Sequence, residues 1–203
     1  MIGIVDYGLG NIHSVVNALN FLGIKSRLES EPEAIKSYDR LILPGVGAFG
    51  DAMDRLKATS MDEAVIEYAK SGKYLLGVCL GLHLLFERGF EFGEHNGLGI
   101  LKGDVVRFDE SKFEKNEKIP HMGWNTCEFV KQTSLNAGLK SSEYFYFVHS
   151  YHVLCDENIV LAKTFYGYDF TSAVACDNIF GMQPHPEKSH NVGLKMLKNF
   201  VEM

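Results

Sequence analysis

A chain of 203 residues, 46% hydrophobic and 23% charged, is large enough to bury a full core and too apolar to be disordered. Its net charge of -6 and pI near 5.7 exclude a protein whose main task is holding phosphate backbones, and the basic run KNEK (115–118) reads as solvated surface. No apolar run approaches the length of a membrane span.

The opening MIGIVDYGLGN turns polar too early for a secretory signal. Within it, IGIVDY (2–7) reads as a buried strand. DYGLGNIHS lacks the third glycine of a dinucleotide fingerprint, with His13 in that place. In NIHSVVNALNFLG (11–23), Ile12, Val15, Val16, Leu19 and Leu22 have helical spacing and Gly23 is placed as a C-cap. KSRLES is a short strand, and RLILPGVG (40–47) is a strand running into a Pro-Gly loop. A helical stretch covers 49–70, YLLGVC (74–79) is a continuous apolar strand, and LGLHLLFE opens a helix. Repeated strand–helix units imply a parallel sheet with helices on both faces.

From about 98 to 183 the signals are strand-rich: LGILKGDVVRF, HMGWNTCEFV, YFYFVHSYHVLC, IVLAKTFY, TSAVACDN and IFGMQ. The chain closes with a helix, NVGLKMLKNFVEM, whose Val192, Met196 and Phe200 share a face. The expected fold is α/β: one domain over 1–203, with a mixed, mostly parallel central sheet flanked by helices and a nucleophile elbow at a strand end.

That elbow is GVCLG (77–81). Cys79 ends a buried strand and precedes a helix, with glycines two residues to either side. The glycines let strand and helix approach, and the sharp turn lifts the sulfur above the carboxyl edge of the sheet. The Leu80 amide is then aimed at a developing oxyanion. A thiol nucleophile needs a base, and the base needs a third group. QPHPEKS (183–189) supplies both: Pro184 and Pro186 favour extended backbone, in which His185 and Glu187 point the same way. One imidazole nitrogen then bonds the carboxylate while the other faces Cys79. His149 and His152, three apart in an apparent strand, face opposite sides and make poor metal ligands even with Cys155 nearby, so no metal and no cofactor is expected. His121 reads as a hydrogen-bonded, half-buried side chain. The four cysteines at 79, 127, 155 and 176 form no CxxC pair, which points to reduced thiols in the cytoplasm.

The order Cys79, His185, Glu187 resembles that of the class I, triad-type glutamine amidotransferases. The resemblance is closest to the glutaminase subunits of imidazole glycerol phosphate synthases. It is carried by IVDYGLGNIHSV, LPGVGAFGDAM, GVCLGLHLLFE, PHMGWN, YFVHSY and HPEKS, in that order over nearly the whole chain. It implies hydrolysis of L-glutamine through a thioester on Cys79, with ammonia passed to a (β/α)8-barrel cyclase partner in a heterodimer for histidine biosynthesis. It also implies that Val46 of the PGVG loop joins Leu80 in the oxyanion hole, and that Gly45, Gly47, His83, Ser150 and Tyr151 contact substrate. Asn11, Trp124, Asn125 and Lys188 are implied near the docking face, Trp124 in a segment that reads as an exposed turn. Two positions depart from the family pattern. His83 stands where glutamine is usual, which leads to the expectation of a titrating imidazole near the substrate carboxylate, and Pro184 stands where an aromatic is common. The alternatives are a related subunit that supplies ammonia for amidation or amidination of a surface sugar, a standalone Cys hydrolase, and a binding module that keeps the fold without the chemistry.

Overall fold

The computed structural model describes residues 1–9, 12–113 and 117–203. The first half is built as the apolar spacing predicts: β1 (Ile2–Val5), α1 (Ile12–Phe21), β2 (Ser26–Glu29), a one-turn α2 (Pro32–Ile35), β3 (Arg40–Leu43), α3 (Phe49–Ala58), α4 (Met61–Lys70), β4 (Tyr74–Val78) and α5 (Leu80–Leu84). Gly23 takes a φ of +70° after α1, the left-handed turn that favours glycine. The helical stretch expected over 49–70 is two helices. The Thr59 hydroxyl bonds back to the carbonyls of Arg55 and Leu56, and Ser60 turns left-handed (φ 58°), which ends α3.

The second half supplies β5 (Arg88–Gly89), β6 (His95–Asn96), β7 (Asp104–Arg107), β8 (His121–Phe129), β9 (Ser142–His149), β10 (Tyr151–Leu154), β11 (Val160–Tyr166), β12 (Tyr168–Cys176), β13 (Ile179–Met182) and α6 (His190–Glu202). The strand expected from residue 98 begins only at Asp104. The amides of Leu98, Gly99, Ile100 and Leu101 instead cover the carbonyls of Leu84, Leu85 and Phe86, which have no helical partner past the end of α5.

The described strands join in one sheet whose main path is β2-β1-β3-β4-β13-β12-β10-β7-β5-β6, with β11, β8 and β9 branching from β12. Its central part, β2-β1-β3-β4-β13, is parallel; beyond it the pairs around β12 and β10 are antiparallel. Successive residues of the central strands enter opposite cores. Val5, Leu41, Leu43 and Leu75 pack with Phe49, Leu56, Val65 and Tyr68 of α3 and α4. Ile4, Ile42 and Leu76 pack with Val15 and Leu19 of α1 and Met196 and Phe200 of α6. Both faces are therefore covered, as a parallel sheet requires. Parallel pairing of β13 with β4 sets Met182 opposite Val78, so the residues after each strand emerge side by side at the same carboxyl edge.

Candidate active site

The site is assembled at that edge. Cys79 follows β4 with φ 54° and ψ -112°, a backbone conformation that L residues seldom adopt and that persists only where surroundings enforce it. Two close approaches enforce it. A Cβ on Gly77 would lie 2.7 Å from the Gly81 carbonyl oxygen, and one on Gly81 would lie 1.8 Å from that of Leu43. Only glycine permits the strand and α5 to come this near. The Cys79 amide donates to the Met182 carbonyl (2.7 Å), which ties the turn to β13. Leu80 is the first residue of α5, where an amide has no partner within the helix.

His185 is fixed from both sides of its backbone. Its amide donates to the Tyr146 carbonyl (2.9 Å), and its carbonyl accepts from the Ser189 hydroxyl (2.6 Å), which in turn accepts the Tyr146 amide (3.0 Å). The His185 Nδ1 lies 2.7 Å from Glu187 Oε1, with both side chains buried. The pairing is reached through a turn of 3-10 helix over Pro186–Lys188 rather than through extended chain. Burial alone would lower the imidazole pKa. The Cys79 sulfur, as thiolate, and the Glu187 carboxylate more than offset it and raise the pKa to about 10. The ring is therefore protonated at neutral pH, with its buried Nε2 free of any other protein partner among the described residues. A nucleophilic thiolate uses such a cation beside it.

These groups open on a cleft of about 290 Å³ lined by Val46, Gly47, Cys79, Leu80, His83, Glu91, Pro120, Val148, His149, Ser150, Tyr151 and His185. The cleft thus gathers most of the residues marked in the sequence. Gly45 is an exception: it lies beneath the cleft, where a Cβ would sit 2.5 Å from Tyr7 Oη and 3.0 Å from Leu80 Cβ. The Tyr7 hydroxyl donates to the Pro44 carbonyl (3.0 Å) and braces the loop from below. Gly47, at φ 102°, keeps the conformation an L side chain resists.

His83 also differs from expectation. It is buried, its Nε2 is 2.7 Å from Gln183 Oε1, and burial lowers its pKa to about 4. It is neutral across the physiological range, not a titrating cation.

Glu91 is the residue that sequence reasoning missed. Its Oε2 accepts the Phe49 amide at the start of α3 (2.8 Å), and it brings a carboxylate to the cleft wall. It sits in an irregular loop, FEFGE, with no periodicity to mark it. The expectation for His149 and His152 also needs correction. Both rings pack on Phe108 (centroids 5.2 and 4.9 Å), because the chain leaves β9 for β10 at Ser150 and the alternation breaks there. Among the described residues no group of three or more His, Cys, Asp or Glu is placed to hold a metal.

Of the residues marked for docking, Asn11 lies outside the described residues. Trp124 sits within β8 rather than in a turn; it is 47% exposed and stacks on His190 (4.8 Å, 5° between planes). Lys188 is half-buried with Nζ 5.9 Å from the Tyr146 ring centre. The Asn125 amide is turned inward, onto His121 (3.1 Å) and the Phe165 carbonyl (2.9 Å).

Comparison with known proteins adds the following. Residues 3–203 match the family model for glutamine amidotransferase class-I. Imidazole glycerol phosphate synthase subunit HisH of Sulfurimonas denitrificans is 59% identical over 203 residues, covering 100% of this chain and 98% of that protein. The subunit of the same name from Wolinella succinogenes is 54% identical over 204 residues, with both chains fully covered. A glutamine amidotransferase crystal structure superposes with a TM-score of 0.76 at 21% identity, over 99% of this chain and 97% of that one. A PurLQS structure from Thermotoga maritima does so at 0.74 and 19%, with the same coverage. At those identities the structural likeness speaks for the fold alone.

Proposed function

From the premise that the chain belongs to the class I glutamine amidotransferase family, we propose that Cys79, His185 and Glu187 carry its chemistry, the hydrolysis of L-glutamine to glutamate and ammonia. The chain is the glutaminase subunit of an imidazole glycerol phosphate synthase, in histidine biosynthesis. Residues 1–203 act as one amidotransferase domain, in the cytoplasm; no helix among the described residues is long and apolar enough to cross a membrane.

The observation that carries the chemical reading is the His185–Glu187 bond beside a strained Cys79. The sulfur attacks the side-chain carboxamide carbon of glutamine. The oxyanion that forms is received by the Leu80 amide and by the Val46 amide once the PGVG loop turns it inward. His185 delivers its proton to the amide nitrogen, the C–N bond breaks, and ammonia leaves a γ-glutamyl thioester on Cys79. Water then attacks the thioester, giving its proton to His185, and the tetrahedral intermediate expels the thiolate as glutamate departs, which restores the thiolate–imidazolium pair. Glu187 holds the ring orientation and stabilises the imidazolium in both halves. Glu91 receives the α-ammonium of glutamine, since its carboxylate meets the cleft and the complementary charge on the substrate is that ammonium. Ser150 and Tyr151 form the opposite wall.

The ammonia passes to a (β/α)8-barrel cyclase partner that docks on the face carrying Trp124 and Lys188. Ammonia released into water is protonated and lost as a nucleophile, which favours delivery within a complex. Acid quenching during turnover, followed by peptide mass spectrometry, tests the chemistry. A γ-glutamyl adduct confined to Cys79 is the expected result. Turnover with no adduct on Cys79, or with the adduct on Cys127, Cys155 or Cys176, would refute the assignment.

A further inference from the structure

Away from the triad, a line of polar groups runs from the half-buried Thr126 and Asn125 on β8, through the buried His121 and His149, to the cleft. The Thr126 amide donates to Asn125 Oδ1 (2.8 Å). Asn125 Nδ2 is 3.1 Å from His121 Nε2, His121 Nδ1 is 2.9 Å from His149 Nε2, and His149 Nδ1 is 2.8 Å from the Tyr151 carbonyl. The two ends are backbone groups whose roles are fixed: an amide only donates and a carbonyl only accepts. Burial drives the pKa of His121 down to about 4 and that of His149 well below its ordinary value, so both rings are neutral. One arrangement of protons then satisfies every member. His149 carries its hydrogen on Nδ1 and offers a lone pair at Nε2. His121 must therefore carry its hydrogen on Nδ1 as well, and its Nε2 accepts from the Asn125 amide. The line has a single direction, from β8 to Tyr151.

Its inner end is the Tyr151 carbonyl, beside the residue at which the chain passes from β9 to β10, Ser150, whose own carbonyl accepts from the Phe108 amide (3.1 Å). Ser150 belongs to neither β9, which pairs with β8, nor β10, which pairs with β7 and β12. Ser150 and Tyr151 nonetheless form a wall of the cleft. We propose that Asn125, His121 and His149 are positioning residues for glutamine hydrolysis, holding the Tyr151 carbonyl and with it the Ser150–Tyr151 wall in the geometry that receives the substrate. This rests on the glutaminase reading above and assigns to that site a support no triad residue supplies.

His121 does not line the cleft, and its ring is stacked between Phe147 (4.7 Å, 26°) and Tyr166 (4.0 Å, 26°). That permits a paired test. His121→Phe keeps an aromatic ring in the stack and removes the donor to His149. His121→Asn loses the stack and keeps an N–H where Nδ1 stood. The KM for glutamine is measured in both with the barrel partner present, beside thermal stability. Leaving a buried acceptor unpaired costs free energy equivalent to about tenfold in an equilibrium constant. The relay predicts a rise of about that size in KM for His121→Phe, and a KM within about twofold of wild type for His121→Asn even though its melting temperature falls. A role in packing alone predicts the reverse order. An unchanged KM in His121→Phe, with an active wild type, overturns the relay alone. A wild type that releases no glutamate with its partner overturns the glutaminase reading and the relay's role together. Nitrogen-15 NMR of the wild type reads the protons directly: both rings protonated at Nδ1 is the expected result, and either ring protonated at Nε2 overturns the relay.

Discussion

Replacing His83 with glutamine, the residue its family commonly has there, should change how the protein answers acid. In the folded state His83 is buried against Gln183 and takes a proton only near pH 4; unfolded, it does so near 6.5. Between those values the unfolded chain binds a proton that the folded chain refuses, so stability falls as the pH drops through the window. The gap of 2.5 units at about 1.36 kcal/mol each makes His83 responsible for roughly 3 kcal/mol of acid sensitivity. That is a large share of a typical folding free energy of about 5–15 kcal/mol. Urea unfolding from about pH 7.5 to about pH 4.5 measures it, with the wild type and His83→Gln compared at each pH so that carboxylate titrations cancel. The difference in unfolding free energy should shift in favour of the variant by about 2–3 kcal/mol over that range. A difference that stays constant with pH would refute a buried neutral His83. The same argument removes His83 from the pH dependence of KM above about pH 6.

His185 has the opposite sign. Its folded pKa near 10 exceeds the unfolded value, so its contribution is complete below about pH 6.5 and is lost as pH rises toward 10; it should weaken in Glu187→Gln, seen as a flatter alkaline limb in unfolding titrations. Glu187→Gln should also lower kcat by about 10²-fold, less than His185→Ala, which removes the proton shuttle. Gly81→Ala forces a Cβ to within 1.8 Å of the Leu43 carbonyl oxygen, so the elbow must open; glutamate release should vanish while thermal denaturation shows a loss of about 1–3 kcal/mol. Glu91→Gln keeps an acceptor for the Phe49 amide but removes the charge, and should raise the KM for glutamine about tenfold with kcat little changed.

The first half of the fold was legible because its signals are local. The spacing of Ile12, Val15 and Leu19 and the unbroken apolar run of β4 specify a helix and a buried strand without reference to anything distant. The elbow was legible for the same reason, since two glycines around Cys79 encode a close approach. The break at Ser60 was hidden because a hydroxyl returning to a helical carbonyl leaves no periodic trace. Glu91 was hidden because its place in the cleft depends on α3, 42 residues away in sequence. The neutrality of His83, His121 and His149 was hidden too, since burial and partner choice set an imidazole's charge, and neither is written in the residues next to it.

The central claim is tested most directly by steady-state glutamate release from the purified chain together with its cyclase partner and the acceptor substrate, comparing wild type with Cys79→Ala. The wild type should turn over glutamine far faster with the partner than alone, because one misaligned oxyanion donor costs about 10²–10³-fold. Cys79→Ala should release no glutamate, while the complex still accepts free ammonia. Sustained glutamate release by Cys79→Ala, or full activity from the lone wild-type chain, would contradict the account.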